Sequence, residues 1–151
     1  MPGEILDIIT SPVCVVTAQN SDKINGMTVA WIMQAAYNPA FIAVSIAPER
    51  FTHSLIKESK SFGVNILSDG QRHLGKHFGF SSGRNTDKFT DIDFHKSKSG
   101  LPIFDNVYAY IECRLINILN AGDHDLFVGE VLEKNIDDTK NPLIFKSSDY
   151  F

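Results

Sequence analysis

A pair of long alternating segments in the C-terminal half constrains the fold more than any other feature of the sequence. Across residues 107–119 apolar side chains occupy every second position except Asn117, and residues 124–135 form a second long strand-like segment after a turn at 120–123. A period of two predicts strands with a buried face, and the glycine in the turn predicts a hairpin. Gly129 predicts a bulge or a close approach of a neighbouring segment. Long strands at an open sheet edge would expose unpaired main-chain groups and promote aggregation. Because a barrel leaves no open edge, a barrel is expected.

Four shorter strands and two helices complete the expected order of elements. The strands are expected at residues 13–18, 26–36, 40–47 and 62–67, and the helices at 52–60 and 71–78. A polar loop at 81–93 follows the second helix. At least six strands, without regular alternation of strands and helices, favour a mainly β fold. We expect an antiparallel barrel with short helices packed outside it.

Composition narrows the class of protein. A length of 151 residues, with 43% hydrophobic and 21% charged side chains, is typical of one domain spanning residues 1–151. A net charge of -4 without a basic run argues against nucleic-acid binding. No apolar stretch approaches the ~20 residues of a membrane helix, and the acidic N-terminus is unlike a signal peptide, so a cytoplasmic protein is expected. Cys14 and Cys113 lie in apolar segments and are expected to be buried thiols.

Motifs for several common chemistries are missing from the sequence. It has no glycine-rich nucleotide-binding loop, no G-x-S-x-G motif and no pair of C-x-x-C motifs. His73 and His77 could share one helical face, but a zinc site needs at least one further ligand. No metal site is therefore expected.

The start of the first expected helix is a candidate anion site. Pro48 ends the preceding strand, and Thr52 is a suitable N-cap. The free N–H groups of a first helical turn favour an anion, and Arg50 and His53 would add a guanidinium and an imidazole that suit phosphate. The alternative is an ordinary capped helix with a surface arginine.

Three other positions could meet a ligand. Trp31 ends the segment 25–31, whose small residues would let a flat ring approach the strand backbone. His124 stands at the hairpin turn, and Lys88 follows the polar turn residues of the loop. Taken singly, each has a simpler interpretation: a buried barrel tryptophan, an idle turn histidine and a solvated lysine.

Six motifs occur in an order that resembles the flavin reductase-like family of FMN-binding split β-barrels. They lie at residues 11–13, 25–31, 38–46, 52–65, 87–89 and 122–131. No single motif is decisive, but six in the same order form a specific combination. The chain departs from the family in having Pro39-Ala40 where two prolines are frequent, and Ala35-Ala36 where a serine is frequent. A missing hydroxyl would remove one flavin contact near Ala35.

The resemblance implies a Greek-key split barrel that binds FMN near the interface of a homodimer and transfers hydride from NADH or NADPH to the flavin N5. The implied contacts to the isoalloxazine and ribityl groups are Met27, Thr28, Val29, Ala30, Trp31, Ser45, Ile46 and Ala47. The implied phosphate contacts are Arg50, Thr52 and His53, with Lys88 as a phosphate or ribityl contact and Phe80 as a stacking residue. His124 is the implied catalytic residue, beside the reactive face of the flavin or the nicotinamide.

A flavin reductase that supplies reduced flavin to a monooxygenase, or reduces ferric complexes, is the leading expectation. One alternative is a flavoredoxin-like protein that takes electrons from a protein partner. Others are an FMN-binding protein without turnover and a barrel without flavin. The residues favour neither NADH nor NADPH, and FMN is preferred to FAD by family resemblance and a single phosphate-site candidate.

Overall fold

The computed structural model describes residues 7–150, which form a sheet-rich fold with two α-helices. The elements in chain order are β1 (Cys14–Asn20), β2 (Lys23–Val29), β3 (Ile32–Ala36), β4 (Phe41–Ile46), α1 (Phe51–Ser59), β5 (Ser61–Ile66), α2 (Arg72–Phe80), β6 (Phe94–Lys96), β7 (Pro102–Phe104), β8 (Ala109–Ala121) and β9 (His124–Ile136). A short 3-10 helix follows at Ser147–Asp149. In this part of the chain neither helix has the length and apolar character needed to span a membrane.

Seven strands form one antiparallel sheet in the order β2-β1-β5-β8-β9-β4-β3, and β6 pairs with β7 in a separate hairpin. The outermost strands, β2 and β3, are consecutive in the chain and are joined by only Ala30 and Trp31. A connection of two residues cannot cross a flat sheet of seven strands, because neighbouring strands lie about 4.8 Å apart. The sheet must therefore curl until its edges approach, as the expected barrel requires.

The inside of the curled sheet holds the main hydrophobic core. Phe62 and Phe127 are fully buried there, and Leu55 and Ile56 bring one face of α1 into the same cluster. Cys14 and Cys113 are free and buried, as expected. Burial raises the pKa of each thiol to about 12, which keeps both in the unreactive thiol form at neutral pH.

A second apolar cluster covers the outer face of the sheet. Val13 and Val15 of the first strand region pack with Phe78 of α2 and with Phe89 and Phe104. The rings of Phe78 and Phe104 lie 4.9 Å apart between their centroids. This cluster fixes α2 against the sheet, and it thereby positions the loop that follows α2.

One continuous strand was expected at residues 26–36, and this expectation is wrong. The chain leaves the first edge of the sheet after Val29 and enters the opposite edge at Ile32. The main chain of Trp31 instead accepts a hydrogen bond from the Ser45 N–H at 3.0 Å. The period-two pattern continues through this crossover, so the pattern alone hides the change of partner strand. The three-residue strands β6 and β7 were not expected, because they are too short to show a period.

The burial of β8 also differs from the expected single buried face. Its first half is buried on both faces, because the β6–β7 hairpin covers Tyr110 and Glu112. The Tyr110 hydroxyl donates to Glu112 Oε1 at 2.9 Å, and Ser99 Oγ donates to Glu112 Oε2 at 3.0 Å. Burial, followed by this hydrogen bond to Glu112, raises the pKa of Tyr110. These bonds let two polar side chains occupy a buried face.

Gly129 of β9 is a point of close approach, as expected from the sequence. A Cβ atom at this position would lie 2.6 Å from Phe62 Cζ and 2.7 Å from Cys113 Cβ. The register of β8 shifts between Leu115 and Asn117, directly opposite Gly129 and Val128. The bulge therefore lies on the partner strand, and the glycine provides space for the phenylalanine ring.

We predict that Gly129→Ala lowers the free energy of unfolding by about 1–3 kcal/mol, because the added methyl overpacks the core. Urea denaturation measures the change. Gly70→Ala is the matched control: nothing lies within 4 Å of its added Cβ atom, so a change near zero is expected. Equal stability of both variants would contradict the packing of Phe62 against β9.

Candidate functional site

Arg50 and Lys88, two cationic side chains that were candidate site residues in the sequence, line one pocket of about 210 Å³. One wall is the turn at residues 49–51 between β4 and α1, and the other is the end of α2 with the loop at 79–83. Asn25 and Lys88, which are 2% and 3% exposed, form the floor. Three segments that are distant in sequence therefore converge on one concave site.

Lys88 is a buried ammonium held by main-chain carbonyls. Its Nζ donates to the Gly26 oxygen at 2.9 Å and to the Phe78 oxygen at 3.3 Å. An ammonium has three N–H donors, so these two acceptors leave one donor for the pocket. Burial, together with the charge of Arg50, lowers the pKa of Lys88 to about 8. The side chain still carries its charge at neutral pH.

Arg50 stands at the N-cap of α1, where its own N–H donates to the Ala47 oxygen at 3.1 Å. Thr52 was expected to be this cap, which is wrong, since α1 begins at Phe51. Among residues 7–150, neither Arg50 nor Lys88 lies within 4.0 Å of a carboxylate oxygen. These two cations face no carboxylate within residues 7–150, and Arg50 stands at the start of a helix, so the pair suits an anion such as phosphate.

Asn25 and Gly83 are pocket residues that sequence reasoning missed. Asn25 Nδ2 donates to Thr52 Oγ1 at 2.9 Å, and both side chains are buried. A Cβ atom on Gly83 would lie 2.2 Å from Asn25 Oδ1, so only glycine lets the loop settle onto the pocket floor. Thr52 thus supports Asn25 from behind and does not line the pocket. The cluster of turn-forming residues at 81–85 was the sequence feature that could have identified Gly83 as a pocket residue.

The side chain of His53 is directed to β9 and does not line the pocket. Its Nε2 lies 2.8 Å from Asp125 Oδ2, and its ring packs edge-on against Phe127 with centroids 4.8 Å apart. The hydrogen bond with His53 lowers the pKa of Asp125. His53 therefore ties the first turn of α1 to the β8–β9 turn.

Of the residues expected to contact flavin, those at 27–30 have little side chain that is free to meet a ligand. Met27 and Val29 have their side chains in the core, so they present main chain alone. Thr28 Oγ1 donates to the Gly75 oxygen of α2 at 2.6 Å. Ala30 is partly exposed, at the point where the chain crosses between the sheet edges.

The end of β4 also combines buried and partly exposed residues. Ser45 and Ala47 are partly exposed, whereas the side chain of Ile46 is fully buried in the core. Ala47 accepts the Arg50 N–H, and Ser45 donates its N–H to Trp31. These hydrogen bonds connect the pocket wall to the crossover.

The exposed Trp31 and the partly exposed His124 form an aromatic pair beside the crossover. Their rings are tilted by 51° with centroids 4.9 Å apart, and Trp31 is 55% exposed. His124 Nδ1 lies 2.8 Å from Asp123 Oδ1, and this hydrogen bond lowers the pKa of the Asp123 carboxyl. The expected buried-tryptophan alternative is wrong, because the indole faces outward.

The cation pocket and the Trp31–His124 pair are both anchored at the start of α1. Asp125 follows His124 and binds His53, and Arg50 caps the same helix. Phe80, which is 62% exposed, adds an aromatic ring to the pocket rim. Such an arrangement can accept a molecule that has an anionic end and a flat ring system.

A larger groove, of about 580 Å³, lies elsewhere and contains none of the expected site residues. Asp69, Asp91, Asp93 and Asp105 line it, and their charge disfavours a phosphate. Across residues 7–150, no three side chains of His, Cys, Asp or Glu are grouped to hold a metal ion.

Comparison with known proteins assigns the fold to a family. The model of the "Flavin reductase like domain" matches residues 6–151. A Pseudomonas putida flavin reductase is 34% identical over 141 residues, covering 91% of this chain and 80% of that protein. An FMN-binding protein from Thermus thermophilus superposes with a TM-score of 0.84 at 28% identity, covering 93% of this chain and 84% of the other.

Some relatives are longer proteins. The high molecular weight rubredoxin of Moorella thermoacetica is 34% identical over 135 residues, which cover 88% of this chain but only 59% of that protein. The fold, the matched residues and these relatives agree with the resemblance seen in the sequence. This chain belongs to the flavin reductase-like family of flavoproteins with the FMN-binding split-barrel fold.

Proposed function

We propose that the chain binds FMN and transfers hydride to it from NADH or NADPH. The observation that carries this proposal is the pair of Arg50 and Lys88 in a pocket without a carboxylate partner among residues 7–150. The likeness to a protein named as a flavin reductase and to one named as FMN-binding supports it.

The pocket suits the phosphate of FMN in charge and in shape. Lys88 would give its remaining N–H, Arg50 its planar guanidinium, and α1 its first unpaired main-chain N–H groups. The ribityl chain would then follow the partly exposed main chain at Ala47 and Ser45. When bound, FMN supplies the redox chemistry by accepting a hydride at N5.

The protein's own contribution would be positioning and electrostatics. Trp31 and the main chain beside it would limit water access to one face of the ring system. His124 would orient the nicotinamide, with Nε2 available while Nδ1 is engaged by Asp123. This role for His124 is consistent with its partial exposure beside Trp31, and it requires no proton transfer.

We also propose a homodimer whose interface includes the edge strand β3. Met33 and Tyr37, at 62% and 89% exposure, extend the exposed apolar surface that begins at Trp31. Ile116 and Leu119 add apolar area on β8, at 44% and 48% exposure. Exposed apolar groups of this kind mark interaction surfaces.

Reduced flavin would pass from the protein to a monooxygenase or to ferric complexes.

The likeness to the high molecular weight rubredoxin favours a second candidate. In this version the bound FMN receives electrons from a protein partner and NADH reacts slowly or not at all. The two candidates share the FMN site and differ only in the electron donor.

We predict that the purified protein is yellow, or becomes so with added FMN, and bleaches rapidly when NADH or NADPH is added without oxygen. An anaerobic absorbance spectrum recorded in a stopped-flow instrument tests this. A yellow protein that neither nucleotide bleaches would favour the protein-donor candidate. A protein that takes up no FMN would contradict both.

We predict that Lys88→Met weakens FMN binding by about 10- to 100-fold, because a charge-assisted hydrogen bond contributes about 1.5–3 kcal/mol. Fluorescence of Trp31, the single tryptophan, reports binding. Riboflavin, which lacks the phosphate, should bind the variant and the unmodified protein alike, which also verifies folding. Lys96→Met, at an exposed site on β6, is the control. Equal loss of riboflavin and FMN would contradict a phosphate role for Lys88.

We predict that FMN affinity falls as the pH rises above the pKa of Lys88, which is about 8. The cation that attracts the phosphate is present below this value and is lost above it, so the FMN dissociation constant should rise by about tenfold between pH 7 and pH 9. The ratio of FMN to riboflavin affinity isolates the phosphate. A ratio that stays constant across this range would assign the phosphate to other residues.

A further inference from the structure

The rim of the cation pocket is bridged by Arg84, which belongs to the loop after α2. Its Nη1 donates to the Glu49 carbonyl oxygen at 2.7 Å, and its guanidinium carbon lies 5.3 Å from the centroid of the Phe51 ring. Glu49 and Phe51 line the opposite wall of the pocket from the loop at 79–83. Arg84 therefore connects the two walls across the exposed edge of the site.

The loop that carries Arg84 is ordered by its own hydrogen bonds. The Asn85 and Thr86 N–H groups donate to the Ser82 oxygen at 3.2 Å each, and the Arg84 N–H donates to Ser82 Oγ at 3.2 Å. Gly83 rests on Asn25 at the pocket floor, where no larger residue fits. The loop is thus held at both its base and its rim, and the bridge has a defined position.

The volume of about 210 Å³ limits what can occupy the pocket behind this bridge. Sites for whole drug-sized ligands are larger, at about 300–1,000 Å³. The pocket can therefore take one end of a flavin cofactor. A terminal phosphate, with about two negative charges near neutral pH, matches the two cations Arg50 and Lys88.

We infer that Arg84 selects a flavin that ends in a phosphate monoester, FMN, over a flavin extended by an adenylyl group, FAD. This inference rests on the proposed function of the pocket. In FAD the phosphate continues into a second phosphate and an adenosine, which would extend out of the pocket past the rim that Arg84 bridges. That exit requires the Arg84 hydrogen bond to Glu49 and its cation–π contact with Phe51 to break. FMN leaves the bridge closed.

The test is a comparison of FMN, FAD and riboflavin binding by titration of Trp31 fluorescence. The unmodified protein should bind FMN at least tenfold more tightly than FAD. Arg84→Met removes the bridge and should lower this FMN-to-FAD ratio at least fivefold. Both cofactors carry about two negative charges, so the loss of one positive charge weakens the binding of both. This effect largely cancels in the FMN-to-FAD ratio. Phe51→Leu, which removes the ring beneath the guanidinium, should lower the ratio in the same direction.

Arg72→Met is the matched control, because Arg72 is an exposed arginine on α2 that faces Asp149 at 3.6 Å and does not line the pocket. Its FMN-to-FAD ratio should equal that of the unmodified protein. Equal affinity of the unmodified protein for FMN and FAD would overturn the inference, as would ratios that neither Arg84→Met nor Phe51→Leu changes. Failure of the proposed function looks different: no flavin binds, or riboflavin binds as tightly as FMN.

Discussion

The connection between β2 and β3 is the constraint on which the rest of the structure depends. Two residues, Ala30 and Trp31, join the opposite edges of a seven-stranded sheet, so the sheet has to curl. The same crossover leaves Trp31 on the outside, next to His124 of the β8–β9 turn. It also ends the strand whose Gly26 carbonyl accepts a hydrogen bond from Lys88. Barrel closure and the assembly of the site are thus two results of one short connection.

The electrostatics of the pocket suit the anionic ligand that we propose. A buried ammonium is costly even when carbonyl oxygens accept its hydrogen bonds, and the lowered pKa of Lys88 expresses that cost. The nearby guanidinium of Arg50 adds repulsion. A phosphate dianion would replace this repulsion by attraction, so the unfavourable energy of the free site would become binding energy. Unfavourable interactions of this kind are typical of functional sites, where residues needed for activity lower the stability of the fold.

Much of the architecture could be predicted from the sequence, because alternation and turn residues report local structure. The β8–β9 hairpin, the buried cysteines and the close approach at Gly129 follow from such patterns. The crossover after Val29 could not be predicted from periodicity, because both halves alternate in the same way. Asn25 and Gly83 were missed as pocket residues because their contact joins segments almost 60 residues apart. The direction of His53 depends on Asp125, which no local motif reveals.

A crystal structure of the protein with FMN is the most direct test of the central claim, that Arg50 and Lys88 hold the phosphate. We expect the phosphorus atom within about 4 Å of both Lys88 Nζ and the Arg50 guanidinium, with the ring system on the side of Trp31. A phosphate bound in the groove lined by Asp69 and Asp105, or left in solvent while the ring binds, would contradict it.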